Sequence, residues 1–186
     1  MKNIILASLS PRRKEILTSI VNDFKIIPSN VEETYPSSLN PFEVSLYISD
    51  LKAYDVYKDN RNAIVIGCDT TIVFNDKVIG KPLNKKDAQK TLMNFSNKMH
   101  YVVSGVTIYF NNQKRQINSI NNVYFKNISE KEIVDYLEYD EYKDKAGSYA
   151  IQGIANKFIE KIEGEYEAIV GLPIKELNEV LNSINE

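Results

Sequence analysis

The stretch NIILASLSPRRKEIL (residues 3–17) is the most informative part of the chain for its fold, because an apolar run passes directly into a helix start. Its first six residues, NIILAS, are typical of a short buried strand. Ser10 and Pro11 are residue types that helices prefer at the N-cap and at the first helical position. With the strands and helices that follow, this order predicts an α/β or α+β architecture.

Apolar patterns predict further strands and helices along the 186 residues, a length that suits one domain over residues 1–186. The predicted strands are FKIIPS (24–29), AIVIG (63–67), TIVF (71–74), HYVVSGVTIYF (100–110), QINSINNVYFK (116–126), KFIEKI (157–162) and EYEAIVG (165–171), the last two paired with each other. The predicted helices begin at Pro41, after Asn84, at the Ser129–Glu132 capping box and in LPIKELNEVLNSI (172–184). In the helix from Pro41, the spacing predicts a core-facing stripe of Val44, Tyr47, Ile48, Leu51 and Tyr54.

Composition excludes several classes of protein. The net charge of −2 gives no general reason to bind a nucleic acid polymer. No apolar run approaches the ~18 residues of a membrane span, and IILASL is too short for a signal peptide, so we expect a cytoplasmic protein. The single cysteine, Cys68, has no partner for an intramolecular disulfide, and the single histidine, His100, is expected to be structural rather than catalytic.

Two arginines, Arg12 and Arg13, occupy the first turn of the predicted helix, where acidic residues are preferred. Each charge opposed to the helix dipole costs roughly 0.3–1 kcal/mol at an exposed position. A bound phosphate would reverse that cost, because free N–H groups and guanidinium groups would both face it. Ser8 and Ser10 add hydroxyl groups. The alternative is that both arginines pair with carboxylates or are simply solvated.

Carboxylates that suit a divalent cation occur in VEETYP (31–36) and in GCDTT (67–71). Asp69 directly follows the predicted strand AIVIG, so we expect it at the polar end of a sheet. Mg²⁺ commonly takes one or two carboxylates together with substrate phosphates and water, and Glu32 with Asp69 would supply that pair. The spacing favours Glu32 over Glu33, although a shift of one residue is easily absorbed in a loop. Either acid alone is otherwise a solvated loop residue.

Two lysines are candidates for phosphate binding: Lys52 at the edge of a helix face, and Lys81 in the IGKPL turn. A single lysine is usually solvated, so neither indicates a site alone. Together with the arginines and carboxylates they form the set that phosphoryl chemistry requires. The chain has neither a Walker A pattern nor GxGxxG, which excludes the P-loop and Rossmann nucleotide sites.

The ordered motifs of this chain resemble those of the Maf family of nucleoside triphosphate pyrophosphatases over nearly its whole length. The matching motifs are SLSPRRKEIL (8–17), VEE (31–33), GCDT (67–70), GKP (80–82), DKAGSYAIQG (144–153) and VGLP (170–173). The resemblance implies an elongated, mixed-sheet α/β fold related to the inosine triphosphatase group, a cleft between two lobes, a divalent cation (Mg²⁺ or Mn²⁺) and a possible homodimer.

The resemblance also implies roles for individual residues. Phosphate binding falls on Ser8, Arg12 and Arg13, metal and water handling on Glu32 and Asp69, and catalytic lysines on Lys52 and Lys81, while Thr70 and Gln152 fall at substrate-binding positions. Gln152 falls where the pyrimidine-selective branch of that family has a glutamine, and an amide can both donate to and accept from uracil or thymine. The alternative is that Gln152 is a loop residue whose amide bonds only to the backbone.

The implied reaction is metal-dependent hydrolysis of dTTP, UTP and modified pyrimidine nucleotides to the monophosphate and pyrophosphate. The alternatives are a nucleotide-binding regulator of septum formation that acts through a partner, and a pyrophosphatase acting on 7-methyl-GTP.

Overall fold

The computed structural model describes the backbone of residues 3–185 and the side chains of residues 3–184. Its strands are β1 (Asn3–Leu6), β2 (Lys25–Ile26), β3 (Ala63–Phe74), β4 (Lys77–Ile79), β5 (Met99–Phe110), β6 (Gln113–Phe125) and β7 (Ile159–Glu163). Its α-helices are α1 (Pro11–Thr18), α2 (Val44–Tyr57), α3 (Lys85–Phe95), α4 (Glu130–Leu137), α5 (Tyr166–Val170) and α6 (Ile174–Asn185). None of these helices is long and apolar enough to cross a membrane.

The strands form a seven-stranded mixed sheet in the order β2-β1-β3-β5-β6-β7, with β4 paired to β3. Strand β1 is parallel to both β2 and β3, whereas β4 and β7 are antiparallel to their partners. The mixed sheet with its helices confirms the predicted α/β class. The chain divides into two compact units: the first contains the chain up to Thr70, Val103–Ser119 and the chain from Glu167 on, and the second contains Thr71–Val102 and Ile120–Tyr166.

The first unit packs apolar side chains on both faces of its strands. Along β3, Ile64 and Ile66 belong to one buried cluster, whereas Ala63 and Val65 belong to another. This alternation follows from the two-residue period of a strand. The first cluster includes side chains from α1 and α6, and the second includes Val56 and Tyr57 of α2.

The turn from β1 into α1 confirms the sequence prediction. Helix α1 begins at Pro11, and the Ser10 hydroxyl accepts a hydrogen bond from the backbone N–H of Arg13. The first turn of α1 contains no acidic residue, and because Pro11 has no N–H and Ser10 caps that of Arg13, it presents the Arg12 N–H together with arginine charge. The predicted caps of α3 and α4, at Asn84 and Ser129, are also present.

The buried face of α2 differs from the predicted stripe. Tyr47 and Tyr54 are 37% and 49% exposed, while the side chains of Ser45, Ser49, Lys52 and Ala53 are buried. A close backbone contact is the cause, because a Cβ on Gly105 of β5 would lie only 2.4 Å from the Leu46 N of α2. Small side chains suit such a contact, so Ser45, Ser49 and Ala53 are buried in addition to Val44 and Ile48, which are buried as predicted.

The predicted strands are wrong in two regions of the chain. AIVIG and TIVF are parts of the single strand β3, so Asp69 lies within a strand and not at its end. The strand that ends here is the neighbouring β1, whose last residue is Leu6. Ala7, the next residue, still donates a backbone hydrogen bond to Ile66 O. EYEAIVG contributes α5 rather than a strand, and β7 pairs with β6 instead.

The second unit encloses a buried aromatic cluster. His100 stacks on Phe95, with ring centroids 4.2 Å apart and an interplanar angle of 15°, and meets Phe125 edge to face. Its Nε2 lies 2.7 Å from the Tyr149 hydroxyl, while its Nδ1 has no partner among residues 3–184. This arrangement agrees with the predicted structural role of His100.

Candidate active site

Arg13 is held by backbone and hydroxyl acceptors that lie far from it in sequence. Its Nε donates to Gly171 O at 3.0 Å, Nη1 to Ser8 Oγ at 3.3 Å and Nη2 to Thr70 Oγ1 at 3.1 Å. The side chain thus joins the start of α1 to β3 and to the turn that follows α5. None of its acceptors is a carboxylate, so Arg13 forms no ion pair within the described residues.

Thr70 is in turn bonded to a buried serine. The hydroxyls of Thr70 and Ser104 lie 2.9 Å apart, and Ser104 Oγ donates to Ala168 O at 2.6 Å. Ser104 is fully buried in β5. Sequence reasoning missed Ser104, Ala168 and Gly171; the only signal was the VGLP motif, whose chemical role is not evident from its residue types.

Arg12 contrasts with Arg13. Its guanidinium is partly exposed and has no hydrogen-bond or ion-pair partner among residues 3–184. Both side chains leave the first turn of α1, where the Arg12 backbone N–H has no partner among the described residues. An anion at this helix start would therefore meet one fixed guanidinium and one adaptable guanidinium.

Lys52 connects two carboxylates. Its Nζ lies 2.8 Å from Glu33 Oε1 and 2.9 Å from Asp69 Oδ1. The side chains of Lys52 and Asp69 are 11% and 13% exposed, compared with 59% for Glu33. Burial raises the pKa of Asp69, an effect opposed by the charges of Lys52 and Arg13 and reinforced by that of Glu33. A carboxylate with a raised pKa accepts a proton more readily than an ordinary aspartate does.

The two neighbouring glutamates differ in position. Glu33 contacts Lys52, whereas the exposed Glu32 carboxylate has no hydrogen-bond or ion-pair partner among the described side chains. Of the two, the structure therefore brings Glu33 together with Asp69, although the sequence spacing favours Glu32. Within residues 3–184 there is no group of three acidic, histidine or cysteine residues that could hold a metal by itself. The Glu33–Asp69 pair still fits Mg²⁺ or Mn²⁺, because such ions take their remaining ligands from substrate phosphates and water.

The remaining predicted site residues, Lys81 and Gln152, lie in the second unit. Both are exposed and on loops. The two loops are bonded to each other, since Gly147 N donates to Gly80 O at 3.1 Å. This bond connects the backbone next to Lys81 with the segment that leads to Gln152.

Two hydrogen bonds from backbone N–H groups to a carboxylate support the Gln152 loop. The Glu141 carboxylate accepts from Ile154 N at 2.8 Å and from Ala155 N at 3.2 Å. A Cβ at position 153 would lie 1.7 Å from Glu141 Oε1, so any larger residue there would displace the Glu141 carboxylate from its present position. Sequence reasoning also missed Glu141, which no periodic pattern distinguishes from the other acidic residues near it.

Comparison with known proteins identifies relatives over nearly the whole chain. The sequence model described as "Maf-like protein" matches residues 3–184. A protein of Dictyoglomus thermophilum named dTTP/UTP pyrophosphatase is 42% identical over 186 residues, which cover 98% of this chain and 96% of the relative. A protein of the same name from Aquifex aeolicus is 37% identical, covering 98% and 95% of the two chains. A solved Ham1 protein from Staphylococcus aureus shares the fold, with a TM-score of 0.58 at 13% identity over 98% of this chain and 100% of that chain.

Proposed function

This chain belongs to the family of Maf-like proteins, and on that premise we propose that it hydrolyses the pyrimidine nucleoside triphosphates dTTP and UTP, and modified relatives of them, to the monophosphate and pyrophosphate. The prediction that the chain is an enzyme of the nucleoside triphosphate pyrophosphatase class is confirmed by curated relatives at about 40% identity. The choice of base is the proposed part.

The observation that carries the proposal is the proximity of a base and an anion site. Asp69 and Thr70 are consecutive in β3: Asp69 contacts Lys52, and Thr70 contacts Arg13. A carboxylate with a raised pKa therefore lies next to a fixed guanidinium. Hydrolysis of a phosphoanhydride requires this combination of a proton acceptor and positive charge.

In the proposed mechanism, Asp69 accepts a proton from the attacking water. The water oxygen bonds to the α-phosphorus, the bond from that phosphorus to the bridging oxygen breaks, and pyrophosphate leaves with the electron pair. Lys52 fixes the orientation of the Asp69 carboxylate through its 2.9 Å contact. Arg13 and Arg12 bind phosphate oxygens and stabilise the charge that develops on the leaving group.

The remaining assignments rest on the family motifs. We propose that Ser8 and Thr70 contribute hydroxyl groups to phosphate binding, that Lys81 binds the phosphate chain, and that the Gln152 amide recognises the pyrimidine edge. Asp69 and a glutamate of VEE would hold Mg²⁺ or Mn²⁺, which when bound neutralises phosphate charge. A single domain over residues 1–186, a homodimer and a cytoplasmic location stay predictions.

The first test is pyrophosphate release from UTP, dTTP, CTP, GTP and 7-methyl-GTP, each with and without Mg²⁺ or Mn²⁺. We expect turnover of UTP and dTTP only when metal is present. Preferred turnover of 7-methyl-GTP would contradict the base assignment. Binding of nucleotide without turnover of any substrate would instead favour a regulator that acts through a partner.

Paired variants test the acidic residues. Asp69→Asn should abolish turnover with the fold intact, and Asp23→Asn, at an exposed loop position, is the matched control. Glu32→Gln and Glu33→Gln should differ: the variant that removes the metal ligand should raise the Mg²⁺ concentration needed for half-maximal rate, whereas its neighbour should not. Pyrophosphate release that survives in Asp69→Asn would refute the assigned role of Asp69.

A further inference from the structure

We propose that Ser104 is a positioning residue that fixes the phosphate-binding geometry of Arg13 through Thr70, an inference that rests on the proposed function. Ser104 is fully buried and would not touch substrate. Its connection to the site is the continuous series of hydrogen bonds from Arg13 Nη2 to Thr70, to Ser104 and to Ala168 O.

The direction of each bond in this series follows from counting protons. A backbone carbonyl only accepts, so the single Ser104 proton points to Ala168 O, 2.6 Å away. Toward Thr70 the Ser104 oxygen can then only accept, and the Thr70 proton must point to Ser104. The Thr70 oxygen is left as an acceptor, which is what the Arg13 guanidinium 3.1 Å away requires.

Without Ser104, the Thr70 hydroxyl would lose this constraint. It could rotate and turn its proton toward the guanidinium, with which it would then compete as a donor. The other two acceptors would still hold Arg13, but no fixed acceptor would remain at Nη2. Ser104 therefore affects the orientation of the Arg13 guanidinium, whereas Gly171 and Ser8 are enough to keep the side chain in the site.

The bonds also determine what Arg13 has left to offer a ligand. A guanidinium carries five N–H groups, and the described contacts use one on each of its three nitrogens. One N–H remains on Nη1 and one on Nη2. These two N–H groups are available to donate to phosphate oxygens. Loss of the hydrogen bond to Thr70 would let the guanidinium rotate and change the direction of these two N–H groups.

Ala168 and Gly171 lie in one short segment, and both accept from this network. The segment that ends in VGLP thus holds Arg13 at two points: directly through Gly171 and indirectly through Ser104 and Thr70. This gives the VGLP motif a chemical role in arginine orientation.

The test is the affinity for inorganic pyrophosphate, measured by calorimetry in the presence of Mg²⁺. Ser104→Ala should weaken binding about tenfold, in line with the loss of a hydrogen bond that supports a charged group. In an Arg13→Ala background the same change should weaken binding less than twofold, because the group that Ser104 positions is already gone. Ser104→Thr, which keeps the hydroxyl, should restore most of the affinity.

Ser45→Ala is the matched control. Ser45 is also fully buried in the first unit, and its hydroxyl has no partner among the described residues. We expect wild-type affinity from this variant, and thermal melting should verify that all variants are folded. Equal losses from Ser104→Ala with and without Arg13, or no loss in either background, would overturn the inference, as would a wild type that binds no pyrophosphate.

The same variants keep this inference separate from the proposed function. A wild type that binds pyrophosphate with the expected coupling, yet hydrolyses neither dTTP nor UTP, would remove the substrate assignment and keep the role of Ser104. Normal dTTP turnover without coupling between Ser104 and Arg13 would keep the substrate assignment and remove the role of Ser104.

Discussion

The burial of His100 predicts that the protein loses stability in mild acid. The aromatic cluster around His100 lowers its pKa from 6.5 to about 3, because burial penalises the charged imidazolium. The folded protein therefore keeps His100 neutral at a pH where the unfolded chain binds a proton. Stability is fully retained above the unfolded pKa of 6.5 and is lost as the pH falls from there toward 3.

The size of the effect follows from the shift. Each pH unit below the unfolded pKa costs about 1.36 kcal/mol until the folded group begins to titrate. At pH 5 the loss attributable to His100 is therefore about 2 kcal/mol relative to pH 7.5. That is a large part of the roughly 5–15 kcal/mol by which domains are stable.

His100→Phe tests this reasoning, since phenylalanine can stack on Phe95 but cannot take up a proton. Urea unfolding followed by circular dichroism from pH 5 to pH 8 gives the free energy of unfolding at each pH. We expect the decrease in this free energy between pH 7.5 and pH 5 to be about 2 kcal/mol smaller in the variant than in wild type. Contributions from carboxylates are common to both proteins and cancel.

Tyr149→Phe is the control, because it removes the partner of His100 Nε2 and leaves the histidine able to titrate. This variant should lose stability at every pH by about 1 kcal/mol and keep the wild-type pH dependence. The same pH dependence in His100→Phe as in wild type would refute the claim that His100 is buried in its neutral form.

Two other changes should affect activity in distinguishable ways. Lys52→Met should lower kcat at least about a hundredfold and move the acidic limb of the pH–rate profile to higher pH. The reason is that the positive charge that opposes the raised pKa of Asp69 is gone. An acidic limb that does not move would contradict the contact between the two residues. Glu141→Ala should release the Gln152 loop and raise KM for dTTP about tenfold with a smaller change in kcat. Gly153→Ala should act in the same direction through its collision with Glu141, and steady-state kinetics that show no change in either variant would count against a role for this loop.

Local signals predicted much of the fold correctly. The start of α1 depends on Ser10 and Pro11, and the start of α4 depends on the Ser129–Glu132 capping box, each of which acts within one turn. These features involve neighbours in sequence, so residue type was sufficient. The position of Arg13 near hydroxyl groups at the helix start was predictable for the same reason.

Features that depend on distant contacts were not predictable. The small residues on the buried face of α2 follow from the close approach of Gly105, and EYEAIVG forms α5 in place of the predicted strand. The Glu33 contact depends on where a loop places two adjacent acids relative to Lys52. Ser104 gives no sequence signal, because a serine in an apolar strand resembles any other half-polar strand position. Each of these outcomes required knowledge of what packs opposite.

The bond from Gly147 to Gly80 connects the segment that precedes Gln152 with the loop that carries Lys81. With the roles proposed above, the Gln152 loop binds the base and the Lys81 loop binds the phosphate chain. A nucleotide with a poorly fitting base would then disturb the position of Lys81 as well as the contact of Gln152. Selectivity would be expressed in the rate of bond cleavage as well as in affinity, and a wrong nucleotide could occupy the enzyme without being consumed.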